Sequence, residues 1–318
     1  MRIAVRLGVS ALVSIVWLGG QHSVVQAQGN RASSRKDAAE TVKLPTKDGV
    51  MLKASYYPSS MGKDAVPIVL LHDYKESRAI FNGLARALQS PPNGQASSYA
   101  VLTVDLRGHG ESTVAQTRNG QTVELEAARF GKQDFRSMVL YDMEAVRKFL
   151  VKQNDASRLN LNKLCLIGSG MGANVATSWA AVDWSAPQLA SRKQGQDVKG
   201  LVLVSPDWSF RGLPLLKPLR QPGVRQAVSM MIVYGKEDNK ATKSAMTVNK
   251  NLEKFHPDPP PELGPEAKEL IVIGRPTSLQ GSRLLTDPSF RLLPDVEFFL
   301  DARLVQQDYE WIQRRQSN

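Results

Sequence analysis

The stretch LCLIGSGMGANVA, residues Leu164 to Ala176, carries an apolar run of strand type into a glycine-rich turn and out again into a helical pattern. A tight strand-to-helix turn of this kind is where a Gly-x-Ser-x-Gly pentapeptide presents a serine hydroxyl for attack on an acyl carbon. Here the five positions are Gly168, Ser169, Gly170, Met171 and Gly172. The middle one, Gly170, has no side chain to attack with, and the serine, Ser169, stands one place early. A serine nucleophile also needs a neighbouring base to take its proton. The chain has 4 histidines, His22, His72, His109 and His256, and their placement bears directly on that chemistry.

A turn of this type has to be held by a sheet. VPIVLLHD (Val66 to Asp73) is a continuous apolar run, the pattern of a strand buried on both faces. RAIFNGLARALQ follows with Ile80, Leu84, Ala87 and Leu88 on one helical face, and YAVLTVDL is the next strand. SMVLYDMEAVRKFLVKQ reads as an amphipathic helix with Leu140, Met143, Val146 and Leu150 on its apolar side. LNKLCLIG, VKGLVLVSP, SMMIVYG and AKELIVIG read as strands. MGANVATSWAAV, ATKSAMTVNKNLEKF and the C-terminal DVEFFLDARLVQQDYEWIQRR read as helices. Such alternation predicts an α/β fold, a mostly parallel central sheet with helices on both faces. Before it, TVKLPT and VMLKASYYP flank Asp48-Gly49, a hairpin signal, so the sheet should open with an antiparallel pair. The polar stretch from Thr113 to Gln133 reads as a loop or small excursion. The proline-rich HPDPPPELGPE reads as a connector.

The 318 residues, 42% hydrophobic and 22% charged, suit one large α/β domain. The first residues read differently. Arg2 and Arg6 precede an apolar segment from Leu7 to Gly20, and Val25 and Ala27 occupy the small-residue positions of a cleavage site. That is the pattern of a secretory signal peptide over residues 1–27, with an apolar run short for a membrane span. A polar lead-in, residues 28–42, and a single domain, residues 43–318, follow. The expected location is therefore exported, periplasmic or secreted, with no transmembrane span after cleavage. The lone Cys165 lies within a strand and reads as buried and inert. The net charge of +11, or +9 without Arg2 and Arg6, comes from scattered basic residues without the dense stripe of a nucleic-acid surface. No His/Cys spacing suggests a metal site and no Walker-type glycine loop suggests a nucleotide, so no cofactor is expected.

The ordered set LLHDYKESR, DLRGHGES, IGSGMGAN, SPDWSFRGL and VYGKEDNKAT resembles the α/β-hydrolase fold superfamily, in particular its dienelactone-hydrolase and acyl-peptidase-like serine hydrolases, over about Thr41 to Arg315. The resemblance implies a serine nucleophile on the elbow, an acid after the seventh strand and a histidine after the last. These roles fall on Gly170, Asp238 and Gln280, the last in PTSLQGSRLL where His-Gly is common. Glutamine is neutral and cannot act as a base. No histidine follows the last strand. His22 lies in the leader, His72 and His109 lie after the third and fourth strands, and His256 belongs at the far end of the sheet. Two of the three triad positions are thus degenerate, and glycine relieves the strained elbow conformation at position 170. The resemblance also implies an oxyanion hole from the backbone N–H of Met171 and of the loop at Tyr74. Asp73 replaces a glycine common there, and its charge would disfavour an anion.

Three readings follow. The first is an exported pseudo-hydrolase that binds an unknown small-molecule or protein ligand in a residual cleft. The second is an active esterase or peptidase-type hydrolase with a displaced nucleophile such as Ser169. The third is a purely structural envelope protein. Bland roles stand beside each residue: Asp238 suits a helix N-cap, Ser278 and Ser282 suit loop hydrogen bonding, Asp105 and Arg107 suit loop bracing, and Trp179, Trp184 and Trp208 serve either a pocket or the core.

Overall fold

In the computed structural model, which describes residues 39–90, 99–189 and 193–314, the apolar runs form one eight-stranded sheet. The strands are β1 (Glu40–Pro45), β2 (Met51–Tyr57), β3 (Pro67–Leu71), β4 (Ala100–Val104), β5 (Leu164–Ser169), β6 (Val198–Val204), β7 (Ser229–Gly235) and β8 (Leu270–Arg275). Their order is β1-β2-β4-β3-β5-β6-β7-β8. β1 and β2 form the antiparallel hairpin, β2 meets β4 antiparallel, and every pairing from β4 to β8 is parallel. The signal-peptide segment lies outside the described residues. Strand β1 begins at Glu40, so the last residues of the 28–42 stretch belong to the sheet rather than to a lead-in.

The strands read as unbroken apolar runs because both faces are covered. Helices α1 (Asn82–Gln89), α2 (Met143–Asp155), α3 (Met171–Trp184), α4 (Asn239–Leu252), α5 (Gly281–Thr286) and α6 (Leu292–Leu300) supply the layers. Val69, Leu71, Leu166 and Leu203 pack with Met143, Val146 and Trp179 on one face. Ile68, Leu70, Ile167 and Val204 pack with Leu84, Leu285 and Phe299 on the other. Cys165 is fully buried within this second layer. Trp179 is core, while Trp184 and Trp208 pack at its margin.

Two helical expectations need correction. Leu140 is 51% exposed rather than on the apolar side. Residues Met138–Asp142 form a wide π-helical turn just before α2, and the extra residue in that turn rotates Leu140 out of the stripe carried by Met143, Val146 and Leu150. The C-terminal helix also stops early. α6 passes into a π-helical turn at Asp301–Val305, and residues 306–314 are not helical. There the backbone is claimed by side chains: Asn160 Nδ2 donates to Tyr309 O at 2.7 Å, Asn154 Nδ2 to Ile312 O at 3.0 Å, and Asn162 Nδ2 to Glu310 O.

The segment after β4 braces the hairpin. Arg107 donates through Nε and Nη2 to Asp142 Oδ1 at 2.9 and 2.7 Å, and through Nη1 to Asp48 Oδ2 at 2.7 Å. One guanidinium thus ties the β1–β2 turn to the turn before α2. Asp105 is fully buried and receives the Arg78 guanidinium and the Glu111 N–H. Burial lifts the Asp142 carboxyl to about 6, against the pull of Arg107. Removing one partner of a buried pair leaves an uncompensated charge, so Arg107→Ala should cost about 3–5 kcal/mol at neutral pH. The folded-state value lies above the unfolded one, so protonated Asp142 is favoured at low pH, and the penalty should shrink when urea unfolding is repeated at acidic pH.

Candidate functional site

The glycine-rich turn closes β5 as its sequence requires. Gly170 has φ +48° and is the residue before the first turn of α3, a conformation that glycine takes without Cβ strain. The expected hole donors converge: the N–H of Tyr74 lies 2.7 Å and the N–H of Met171 2.8 Å from a single oxygen. These are the distances at which backbone donors hold an oxyanion. The oxygen is Asp73 Oδ1, so the charge that was expected to disfavour an anion in the hole instead supplies one.

Asp73 also takes the space a nucleophile would use. A Cβ placed on Gly170 would fall on the Asp73 carboxyl carbon. On the other side, a Cβ on Gly281, at φ +64°, would lie 2.8 Å from Asp73 Oδ2. The carboxylate therefore sits between two glycines that make room for it. Its backbone N–H donates to Glu76 Oε2 at 3.1 Å and to Ser282 Oγ at 3.3 Å. The carbonyl of Asp73 accepts from His72 Nδ1 at 2.7 Å, while His72 Nε2 accepts from the Leu106 N–H at 3.2 Å. His72 is thus a neutral bridge between the loops after β3 and β4, and burial depresses its pKa to about 3. Burial raises the Asp73 carboxyl above the ordinary aspartate range, and the Met171 and Tyr74 donors draw it back.

At the histidine position, Gln280 is a structural clamp. Its Oε1 accepts from the Gly235 N–H at 3.1 Å, and its Nε2 donates to Gly235 O at 2.8 Å. Ser205 Oγ donates to the same Oε1 at 2.6 Å and accepts from the Gly281 N–H at 3.0 Å. One amide group, both donor and acceptor, joins the ends of β6 and β7 to the loop after β8; an imidazole could not match both groups of Gly235 in this way. Asp238 is the N-cap of α4, its Oδ1 accepting from the Ala241 N–H at 2.9 Å. No hydrogen bond joins Asp238 to Gln280 among the described residues, although both line the same cleft of about 340 Å³, with Asp73, Tyr74, Met171 and Phe210. The Ser282 hydroxyl meets the Asp73 N–H and so fastens the loop, while Ser278 contributes only its backbone carbonyl, 3.4 Å from Gln280 Nε2.

Ser169 does not reach the cleft. It continues the face of Cys165 and Ile167, is fully buried, and its Oγ has no hydrogen-bond partner among the described residues. His109 is buried, its Nδ1 donating to Arg107 O at 2.9 Å. His256 lies at the opposite end of the sheet beside Glu269, just before β8. The contact that sequence reasoning missed is the one from Asp73 to Met171, which spans 98 residues. The aspartate in a glycine's place was its visible signal.

Gly170→Ser should lower stability by about 2–5 kcal/mol, from positive-φ strain and overpacking against Asp73. In a denaturation cycle with Asp73→Gly the two changes should be non-additive, the double variant being more stable than the sum of the singles predicts. The raised folded-state value of Asp73 means that its contribution is fully present below the ordinary value of 3.8 and is lost as pH rises through the folded value. Asp73→Asn keeps the acceptor and removes the titration. Its stability relative to the wild type should therefore climb with pH across that window, as read by urea unfolding.

The fold has counterparts in solved structures. An esterase of Pyrococcus furiosus superposes with a TM-score of 0.55 at 16% identity, covering 86% of this chain and 93% of its own. A thermostable carboxylesterase cloned from a metagenomic library gives 0.54 at 14% identity, covering 84% and 88%. A Pyrobaculum calidifontis esterase gives 0.50 at 13% identity, covering 84% of each chain. Identities this low speak to the fold. Among curated proteins, none matches the sequence. The family model described as "Serine aminopeptidase, S33" matches residues 63–260, a span that holds the Asp73 loop, the elbow and Asp238. The chain therefore belongs to this family of α/β-hydrolases.

Proposed function

We propose that the protein is an exported member of the α/β-hydrolase family that does not hydrolyse by the serine–histidine–acid route and instead uses its cleft to bind a small molecule or a protein. The observation that carries this reading is Asp73. Its carboxylate holds both N–H groups that would stabilise an oxyanion and fills the volume that a side chain at position 170 would need. Gly170 offers no nucleophile, and Gln280 offers no base and is occupied by Gly235 and Ser205. An enzyme of this class draws its largest rate contribution from an open, preorganised oxyanion hole. Export rests on the leader pattern of residues 1–27.

The rival reading, an esterase or peptidase-type hydrolase acting through Ser169, finds support in the serine beside the elbow and in the esterases that share the fold. The burial of Ser169 and the absence of a hydrogen-bond partner for its Oγ among the described residues count against it. Intact-mass analysis after incubation with a fluorophosphonate probe discriminates the two. The expected result is no adduct. A stoichiometric adduct that vanishes in Ser169→Ala would overturn the pseudo-hydrolase reading. In a secreting host the same spectrum reads the N-terminus, where a chain starting at Gln28 supports export and an unprocessed Met1 start opposes it.

A further inference from the structure

The other end of the sheet holds a cluster of charges that nothing at the cleft requires. Asp197, immediately before β6, is fully buried and pairs with Arg147 of α2 at 3.2 Å and with Arg314 of the C-terminal tail at 2.6 Å. Asp183 near the end of α3 accepts the N–H groups of Asp197 and Val198 through Oδ2, at 2.7 and 3.0 Å. Burial, with Asp197 beside it, pushes the Asp183 carboxyl toward its neutral form. Around these acids stand Arg147, Lys148, Lys193, Lys199 and Arg314. Arg147, Lys148, Lys193 and Arg314 line a cavity of about 270 Å³, with Glu144 as its one acidic residue.

Asp155 stands here too, its Oδ1 accepting the Arg314 backbone N–H at 2.8 Å. Asp197 serves both arginines, and neither Lys148 nor Lys193 has a carboxylate within ion-pair distance among the described residues. Lys193 donates to Asn162 Oδ1, an oxygen it shares with Arg314 Nη2. Arg314 has a side chain only 2% exposed, yet its Nε finds no acceptor among the described residues. A buried guanidinium N–H without an acceptor is costly. Burial and the neighbouring Lys199 and Arg314 depress the Lys193 ammonium to about 8. An anion in the cavity would give both lysines the counter-charge they lack.

We propose that this cavity is a binding site for a phosphate-type oxyanion, either inorganic phosphate or a phosphate monoester, held by Lys193, Lys148 and the guanidinium groups of Arg147 and Arg314. The donors come from three separate segments: α2, the loop before β6 and the tail. A tetrahedral oxyanion offers acceptor oxygens to several directions at once, whereas a carboxylate presents two in one plane. The site is separated from the cleft by the length of β6, roughly 23 Å at 3.3 Å per residue. The anion is therefore held without any group of the Asp73 cleft.

Calorimetric titration of the purified protein with inorganic phosphate, and sedimentation with phosphatidylcholine vesicles with and without phosphatidic acid, tests the site and separates a soluble from a lipid-borne source. Expected is saturable binding in one arm, weakened at least tenfold by Lys193→Gln and by Lys148→Gln, and unchanged by Lys217→Gln, an exposed lysine elsewhere. Phosphate or vesicles should also slow acylation of Lys193 in the wild type, read by peptide mass spectrometry. Lys193→Gln keeps a donor for Asn162, and Lys148→Gln alters a surface side chain, so a circular-dichroism check of both keeps the comparison sound. Binding that chloride abolishes at equal ionic strength, binding that neither variant weakens, or no binding in either arm overturns the proposal.

Discussion

Asp73 Oδ1 accepts the N–H of Tyr74 and the N–H of Met171, and through that oxygen the loop after β3 is pinned to the first turn of α3. Hydrogen bonds to an ionised acceptor contribute about 1.5–3 kcal/mol each, enough to offset much of the cost of partly burying the carboxylate. The rest of the cleft is arranged around this group. Gly170 and Gly281 leave it room, His72 fixes its carbonyl, and Ser282 meets its N–H. In effect the side chain that fills the centre of the site comes from the loop across the gap rather than from the elbow.

Gln280 plays the complementary part. It seals the carboxyl ends of β6 and β7 with an amide that reads both the N–H and the C=O of Gly235. The cleft is therefore held by the neutral hydrogen bonds of Gln280 on one side and the Asp73 carboxylate on the other, with Asp207 and Asp238 also in its lining. The Asp73 carboxylate and the Gln280 amide both find their partners within the protein.

Much of this was legible in the sequence. The strands showed as unbroken apolar runs because parallel strands are buried on both faces, and the Asp48-Gly49 turn marked the opening hairpin. Asp238 was readable as an N-cap and Arg107 as a brace, since each rule is local. What the sequence could not show depends on non-local or non-periodic contacts. The turn at Met138–Asp142 keeps a helical composition while shifting the face of Leu140. The last residues keep a helix-like pattern, yet Asn154, Asn160 and Asn162 take their carbonyls from the side. An aspartate at position 73 was visible, but that it answers the glycine at position 170 is a matter of three-dimensional placement.

The tail that those asparagines hold also sets an order in time. Asp197 and Arg314 are separated by 117 residues, and Asn154, Asn160 and Asn162 all precede the strand that Asp197 introduces. Ribosomes add roughly 5–20 residues per second, so on the order of 6–23 s passes between the emergence of Asp197 and that of its second guanidinium partner. Through that interval Arg147 alone faces the carboxylate, and the Asn160 and Asn162 amides wait for the tail carbonyls they will donate to. The sheet can pair and its core can close, but its lower edge stays wet until the tail is laid across it. The tail is the latch of that edge, the last of these partners to be synthesised.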